Sequence, residues 1–153
     1  MGKRKTAIGR PFEEEVILKL RSLGIYATFG VYGEWKYVDV VAFGCVRIEV
    51  KTSTVGHFHL SQDHGNEEGW DSSDIVILVC RGEESDTFHI MRQNHPVFYR
   101  DDGSLKYAIT YSGEKSQVLT KEIMDEAQDN WKLIFEVLGE RLETIQKQAL
   151  VGD

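Results

Sequence analysis

The sequence has few cysteines, few prolines and no long hydrophobic run. Its 153 residues include two cysteines and two prolines. Cys45 and Cys80 lie far apart and outside any CxxC or CxxH pair, which disfavours a zinc ribbon or a redox dithiol. No run approaches the ~18 apolar residues of a transmembrane helix, and the N-terminus lacks the apolar core of a secretory signal. These absences predict a cytoplasmic protein with reduced thiols and no membrane segment.

Internal repeats, low-complexity tracts and proline-rich linkers are also missing. With 41% hydrophobic and 28% charged residues, the chain has the composition of one globular domain. We therefore expect a single domain over 1–153, with a core at about 5–80 and a C-terminal extension at about 81–153.

The net charge of −7 is unevenly distributed. Residues 1–36 carry seven Lys and Arg against four Glu, whereas residues 63–86 carry eight acidic residues against one Arg. Four cations lie in the first ten positions: Lys3, Arg4, Lys5 and Arg10. A basic segment can bind phosphates even when the rest of the chain is acidic. These four residues are candidate DNA contacts, and the alternative is a disordered basic terminus without a partner.

Hydrophobic periodicity predicts alternating helices and strands, and hence an α/β fold. Pro11 and Gly24 bracket a helix over about 10–23. Strands are predicted within 25–31, 37–43, 45–51 and 74–80, the last apolar throughout and so buried on both faces. Shorter strands are expected at 87–91, 97–99 and 105–111, followed by one long helix over 120–150.

The long C-terminal helix carries an apolar stripe from Ile123 to Ala149. This stripe packs either on the protein's own sheet or on a second copy of the chain, because the helix is longer than a small domain needs. If it is shared, Trp131 and Leu138 should carry most of the interface energy. We expect a homodimer or higher homo-oligomer, with this helix as the candidate contact between copies.

Charged residues interrupt the second and third predicted strands. Glu49 and Lys51 are two apart and share one face, while Asp39 lies in an otherwise apolar strand. A two-residue turn between the strands would put Asp39 on the wrong face. A three-residue turn containing Gly44 would place it across from Glu49, and we predict that turn.

Two carboxylates beside an ammonium suit a particular chemistry. Carboxylate oxygens are hard ligands for Mg²⁺, which also binds phosphate oxygens. Lys51 would orient a water molecule or offset the negative charge that develops during hydrolysis. The alternative is an ordinary salt bridge on the surface.

A Glu in the first helix, followed by Val38-Asp39-Val40-Val41-Ala42 and Ile48-Glu49-Val50-Lys51, resembles the PD-(D/E)xK nuclease superfamily. Over roughly residues 5–80 the chain looks most like the archaeal Holliday junction resolvases, with Gly9, Glu13 and Gly24 at matching positions. The resemblance implies a restriction-endonuclease-like core, in which helices flank a mixed central sheet. It also implies a metal site of Glu13, Asp39, Glu49 and Val50, with Lys51 as a further catalytic residue.

The helical position of Glu13 is compatible with that role. It precedes Val16 by three residues and Ile17 by four, so it borders the apolar stripe, whereas Glu14 points further away. The alternative is that Glu13, Glu14 and Glu15 only complement the helix dipole.

The segment from His57 to His64 contains three histidines in an H-x-H-x4-H pattern. A zinc site is disfavoured because no fourth ligand has suitable spacing. We expect a short strand and then a helix from near Ser61, with Gln62 as a candidate contact to Lys51 or a water. His57 and His59 are candidate phosphate contacts.

The sequence therefore predicts a Mg²⁺-dependent DNA endonuclease, for which Mn²⁺ would substitute, acting on branched DNA as the resolvase likeness implies. A sequence-specific restriction or homing endonuclease of the same superfamily is one alternative. The other is a DNA-binding protein that has kept the fold without catalysis.

Overall fold

The computed structural model describes residues 2–30, 39–60 and 70–151, with side chains from residue 12 onward. Three α-helices lie wholly within these ranges: α1 (Gly2–Ser22), α2 (Lys121–Ala127) and α3 (Lys132–Val151). Seven strands occur in them: β1 (Ala27–Phe29), β2 (Val40–Ala42), β3 (Val46–Ser53), β4 (His57–His59), β5 (Ile75–Cys80), β6 (Thr87–Arg92) and β7 (Ala108–Thr110). None of the helices in this part of the chain is both long and apolar enough to cross a bilayer.

The main sheet has five strands in the order β1-β2-β3-β5-β6. The β3–β5 pair is parallel and the other pairs are antiparallel, so the sheet is mixed, as predicted. Strands β4 and β7 form a separate antiparallel ribbon. The α/β class, the N-terminal helix and the long C-terminal helix are therefore confirmed.

Two apolar clusters cover the two faces of the sheet. The first contains buried residues of α1 and α3 packed on alternate residues of β3 and β5, such as Ile48 and Ile77. The second packs β4, β7 and α2 on the intervening residues, such as Val76 and Leu78. Strand β5 is buried on both faces because helices and the ribbon cover it from opposite sides.

Helix α1 is longer than predicted. It ends as expected, with Gly24 at φ +82° directly after the last turn. It begins at Gly2 rather than near residue 10, so Pro11 lies inside it and does not open it. The fixed φ of proline is close to the helical value, so Pro11 removes one hydrogen bond without ending the helix. The basic residues at positions 3, 4, 5 and 10 thus belong to a helix, contrary to the alternative of a disordered terminus.

Two further boundaries differ from the predictions. The strand expected at 97–99 is wrong: Pro96–Phe98 form a 3₁₀ helix, begun by the proline and capped by the His95 ring, which accepts from the Val97 N–H at 3.1 Å. The single helix expected over 120–150 is two helices. The break comes at Asp129, whose φ is +55°, and Gln128 bridges to His89 of β6.

The apolar stripe of the C-terminal segment is divided between two environments. The Trp131 ring packs on Phe88 with centroids 5.6 Å apart, and Leu138 packs on the first apolar cluster. Both pack on the chain's own core, and their part in a subunit interface stays a prediction. Leu142 and Ile145, one and two turns later, are about half exposed.

Candidate active site

The turn between β2 and β3 sets the register of the candidate site. Val40 pairs with Ile48 and Ala42 with Val46, which leaves three residues in the turn and confirms the predicted length. Phe43 and Gly44 have φ values of +54° and +72°, and the Cys45 N–H donates to the Ala42 carbonyl at 3.1 Å. Continued by one residue, this register puts Asp39 opposite Glu49.

Glu49 and Lys51 lie on the sheet face covered by the β4–β7 ribbon. They pair with Val76 and Leu78 of β5, which belong to the second apolar cluster. The Lys51 Nζ is 3.4 Å from Glu49 Oε1, and these side chains are only 19% and 13% exposed. The two groups are therefore held close together and are largely shielded from solvent.

The Asp39 carboxyl has hydrogen-bond partners on both β3 and α1. Its Oδ2 accepts a hydrogen bond from the Val50 N–H at 2.9 Å, which fixes the carboxyl against β3. Its side chain also hydrogen-bonds the carboxyl groups of Glu49 and Glu13. Glu13 therefore reaches the strands from α1, on which Val16 and Leu20 are buried and Glu14 is exposed.

The protonation of these carboxyl groups is strongly perturbed. Burial, and then the charge of Asp39, raise the pKa of Glu49 from 4.5 to about 8, although Lys51 opposes the shift. Burial also raises the pKa of Asp39, against the lowering effects of the Val50 N–H and of Lys51. Near neutral pH, Glu49 therefore keeps its proton and donates a hydrogen bond to Asp39, because two adjacent buried carboxylates repel each other.

Arg81, directly after β5, connects the helix that carries Glu13 to the end of β3. Its guanidinium carbon lies 4.7 Å from the centre of the Phe12 ring, and its Nη1 is 3.3 Å from Glu15 Oε2. Its backbone N–H donates to the Ser53 carbonyl at 2.8 Å. Phe12 and Glu15, which flank Glu13 in α1, thus both contact the Arg81 guanidinium group.

Asp86 completes the contacts of Arg81, with Oδ1 3.2 Å from Arg81 Nε. Burial and the charge of Asp86 raise the pKa of Glu15. Glu15 therefore interacts with Arg81 and Asp86, apart from the cluster of Asp39 and Glu49. Sequence reasoning missed Arg81 because its partners are distant along the chain. The signal available was its position as the one cation within the acidic segment 63–86.

The donor set fits a hard divalent cation. Its side chains offer carboxylate oxygens only, and the crowding that forces one carboxyl to stay protonated would be relieved by a cation. Val50 contributes no side-chain donor, because its side chain packs on the first apolar cluster, so its carbonyl is its one possible ligand atom. No group of three or more His, Cys, Asp and Glu residues among those described is already arranged to hold a metal ion.

The remaining predicted site residues fall into three groups. Gln62 and the helix expected from Ser61 lie outside the described residues. Lys3, Arg4, Lys5 and Arg10 lie on α1, where Arg10 precedes Glu13 by three residues, or about 4.5 Å along the axis. His57 and His59 form the ends of the predicted short strand, now β4, and both are exposed.

Comparisons with models of protein families, with curated proteins and with solved structures gave no match for this chain. The geometry of the site is therefore the basis for any functional argument. The structure brings Glu13, Asp39, Glu49 and Lys51 together, and their catalytic roles stay a prediction.

Proposed function

We propose that this chain is a metal-dependent DNA endonuclease that hydrolyses phosphodiester bonds. The observation that carries the proposal is the cluster of Asp39, Glu49 and Lys51, with Asp39 hydrogen-bonded to Glu13. Keeping Glu49 and Asp39 together in a shielded position raises the pKa of both. Such a destabilising arrangement is typical of functional sites and has no evident structural benefit here.

Each residue has a distinct task in this proposal. Glu13, Asp39 and Glu49 would hold Mg²⁺ or Mn²⁺, and Val50 would add its carbonyl oxygen. The bound metal would supply Lewis-acid polarisation of the phosphate and a lower pKa for an attacking water. Lys51, fixed beside Glu49, would donate hydrogen bonds to that water or to a phosphate oxygen and would offset the negative charge that develops on the phosphate oxygens.

The N-terminal part of α1 supports DNA as the substrate. The four basic residues in this N-terminal part precede Glu13 by three to ten positions, so a phosphate backbone beside it would pass close to the site. Removing residues 2–5 deletes three cations and should lower the salt dependence of DNA binding by up to about three units. An unchanged salt dependence would show that this segment makes no phosphate contacts.

The decisive experiment measures cleavage of labelled linear duplex, single-stranded and four-way-junction DNA with Mg²⁺, Mn²⁺ or EDTA. The wild type should cut at least one of these substrates with either metal and none in EDTA. Asp39→Asn and Lys51→Ala should abolish cleavage, while Glu14→Gln, which alters an exposed carboxyl on the same helix, should leave it intact.

Three results would contradict the proposal. Cleavage by Asp39→Asn at the wild-type rate would exclude the metal site. Cleavage in EDTA would exclude metal-dependent hydrolysis. Tight DNA binding without cleavage of any substrate would favour a non-catalytic DNA-binding protein of the same fold.

A further inference from the structure

Two histidines of β4 and Tyr107, which directly precedes β7, form a row of three exposed aromatic rings. The centroids of the His57 and His59 rings are 4.7 Å apart, and those of His59 and Tyr107 are 5.6 Å apart. Both histidines are exposed, and Tyr107 is 49% exposed. We call these three residues the aromatic row. An exposed, contiguous group of large rings usually marks a binding surface.

The ribbon holds this row firmly. Phe58 and Ile109, which pair with each other across the ribbon, are buried in the second apolar cluster and fix its inner side to the sheet. On the outer side, the His57 ring hydrogen-bonds the Thr110 hydroxyl at 2.6 Å. Neighbouring rings meet edge to face, at 86° in both pairs, which braces each ring without covering both of its faces.

The row begins beside the end of the candidate catalytic strand. The His57 N–H donates to Ser53 Oγ at 2.9 Å, and Ser53 follows Lys51 by two residues, or about 7 Å of strand. The ribbon also covers the sheet face on which Glu49 and Lys51 lie. A DNA strand whose phosphate lies at the carboxyl cluster therefore has neighbouring nucleotides within reach of the row.

We propose that the aromatic row stacks against unpaired bases of the DNA, so that the substrate has single-stranded nucleotides next to the cleaved bond. This inference rests on the proposed nuclease function. It changes the predicted role of His57 and His59 from phosphate contact to base stacking. Strands β4 and β7 carry no Lys or Arg, and the adjacent Lys106 donates to the Val97 carbonyl at 3.1 Å.

Stacking and phosphate contact differ in their dependence on salt. Losing one base–aromatic stack reduces affinity by about tenfold at every salt concentration, because no counterion is released. Losing a phosphate contact lowers the slope of log affinity against log salt by about one unit. The two roles can therefore be separated without any cleavage measurement.

The test measures binding of labelled single-stranded oligothymidylate by fluorescence anisotropy in EDTA, over a range of salt concentrations. Tyr107→Ala should weaken binding about tenfold with an unchanged salt slope, and Tyr107→Phe should bind like the wild type. His59→Ala should also weaken binding, which keeps the test informative if Tyr107→Ala fails to fold. The matched control is Tyr26→Ala, because Tyr26 is an exposed tyrosine outside the ribbon. A blunt duplex should bind all variants equally.

The inference is overturned if the oligonucleotide does not bind, if both alanine variants bind like the wild type, or if the salt slope falls in either of them. Its failure is distinguishable from that of the nuclease proposal. If the protein cuts DNA but its alanine variants in the aromatic row bind oligothymidylate like the wild type, only the stacking proposal is refuted. A protein that binds through the row but cleaves nothing refutes the nuclease function alone.

Discussion

Replacing Glu49 by glutamine should stabilise the protein at neutral pH while removing a proposed metal ligand. The pKa of Glu49 is about 8 in the folded protein, against 4.5 for an unperturbed glutamate. Because the folded-state pKa is raised, the wild type is most stable below about pH 4.5 with respect to this group. That contribution is lost as the pH rises towards 8. Glutamine has nearly the same volume, does not titrate, and has an amide that can donate to Asp39.

The size of the effect follows from the shift. Each pKa unit corresponds to ~1.4 kcal/mol, and pH 7 lies 2.5 units above the unfolded-state value of 4.5. The wild type should therefore be less stable than Glu49→Gln by about 3 kcal/mol at pH 7. Near pH 5 the difference should shrink to below about 1 kcal/mol, because the unfolded chain then retains part of the proton.

The assay is urea unfolding of both proteins from about pH 5 to about pH 8, with Glu14→Gln as the control. Glu14 is exposed, so its variant should follow the wild-type curve. Parallel curves for wild type and Glu49→Gln would show that Glu49 ionises normally in the folded protein, and the reasoning about the carboxyl pair would then be refuted.

Three other variants test separate parts of the structure. If the Arg81 guanidinium positions Glu13, Arg81→Ala should raise the metal concentration needed for half-maximal cleavage several-fold, and Arg81→Lys should restore part of the loss. The same metal concentration for Arg81→Ala and the wild type would show that the role of Arg81 is purely structural. Burial lowers the pKa of His89, so below about pH 6.5 the unfolded chain binds a proton before the folded protein does, and stability falls. His89→Gln should reduce this loss of stability at acid pH in urea unfolding. An unchanged loss would exclude His89 as its source. If α3 joins two copies of the chain, Leu142→Asp should convert a sedimenting dimer to monomer, whereas a monomeric wild type would dismiss the interface.

Local signals in the sequence predicted much of the candidate site. The alternation along β3, the single Asp in an apolar strand and the glycine turn were enough to place Asp39 opposite Glu49. Each of these signals acts within about ten residues, where strand geometry and turn length determine the result. The choice of Glu13 over Glu14 and Glu15 came from the family resemblance, because the stripe formed by its neighbours was only compatible with that position.

Features that depend on distant partners could not be predicted in this way. The break between α2 and α3 comes at Asp129, where no glycine or proline marks it, because the backbone there is held against β6. Pro96 begins a 3₁₀ helix where the β-branched and aromatic residues after it suggested a strand. Arg81 could not be recognised because Phe12 and Glu15 reach it across more than sixty residues.

The position of α3 bears on the order in which the chain can fold during synthesis. The hairpin of β2 and β3 needs only neighbouring residues, so Asp39, Glu49 and Lys51 can come together soon after they leave the ribosome. The apolar face of α1, however, shares its cluster with Ile134 and Val137 near the end of the chain. This side of the core closes only after α3 has been made, so the apolar surface of the sheet that α3 covers stays exposed until then. Because α1 contacts β1 and β3 directly, its docking on the sheet, and with it the approach of Glu13 to Asp39, is expected before α3 packs.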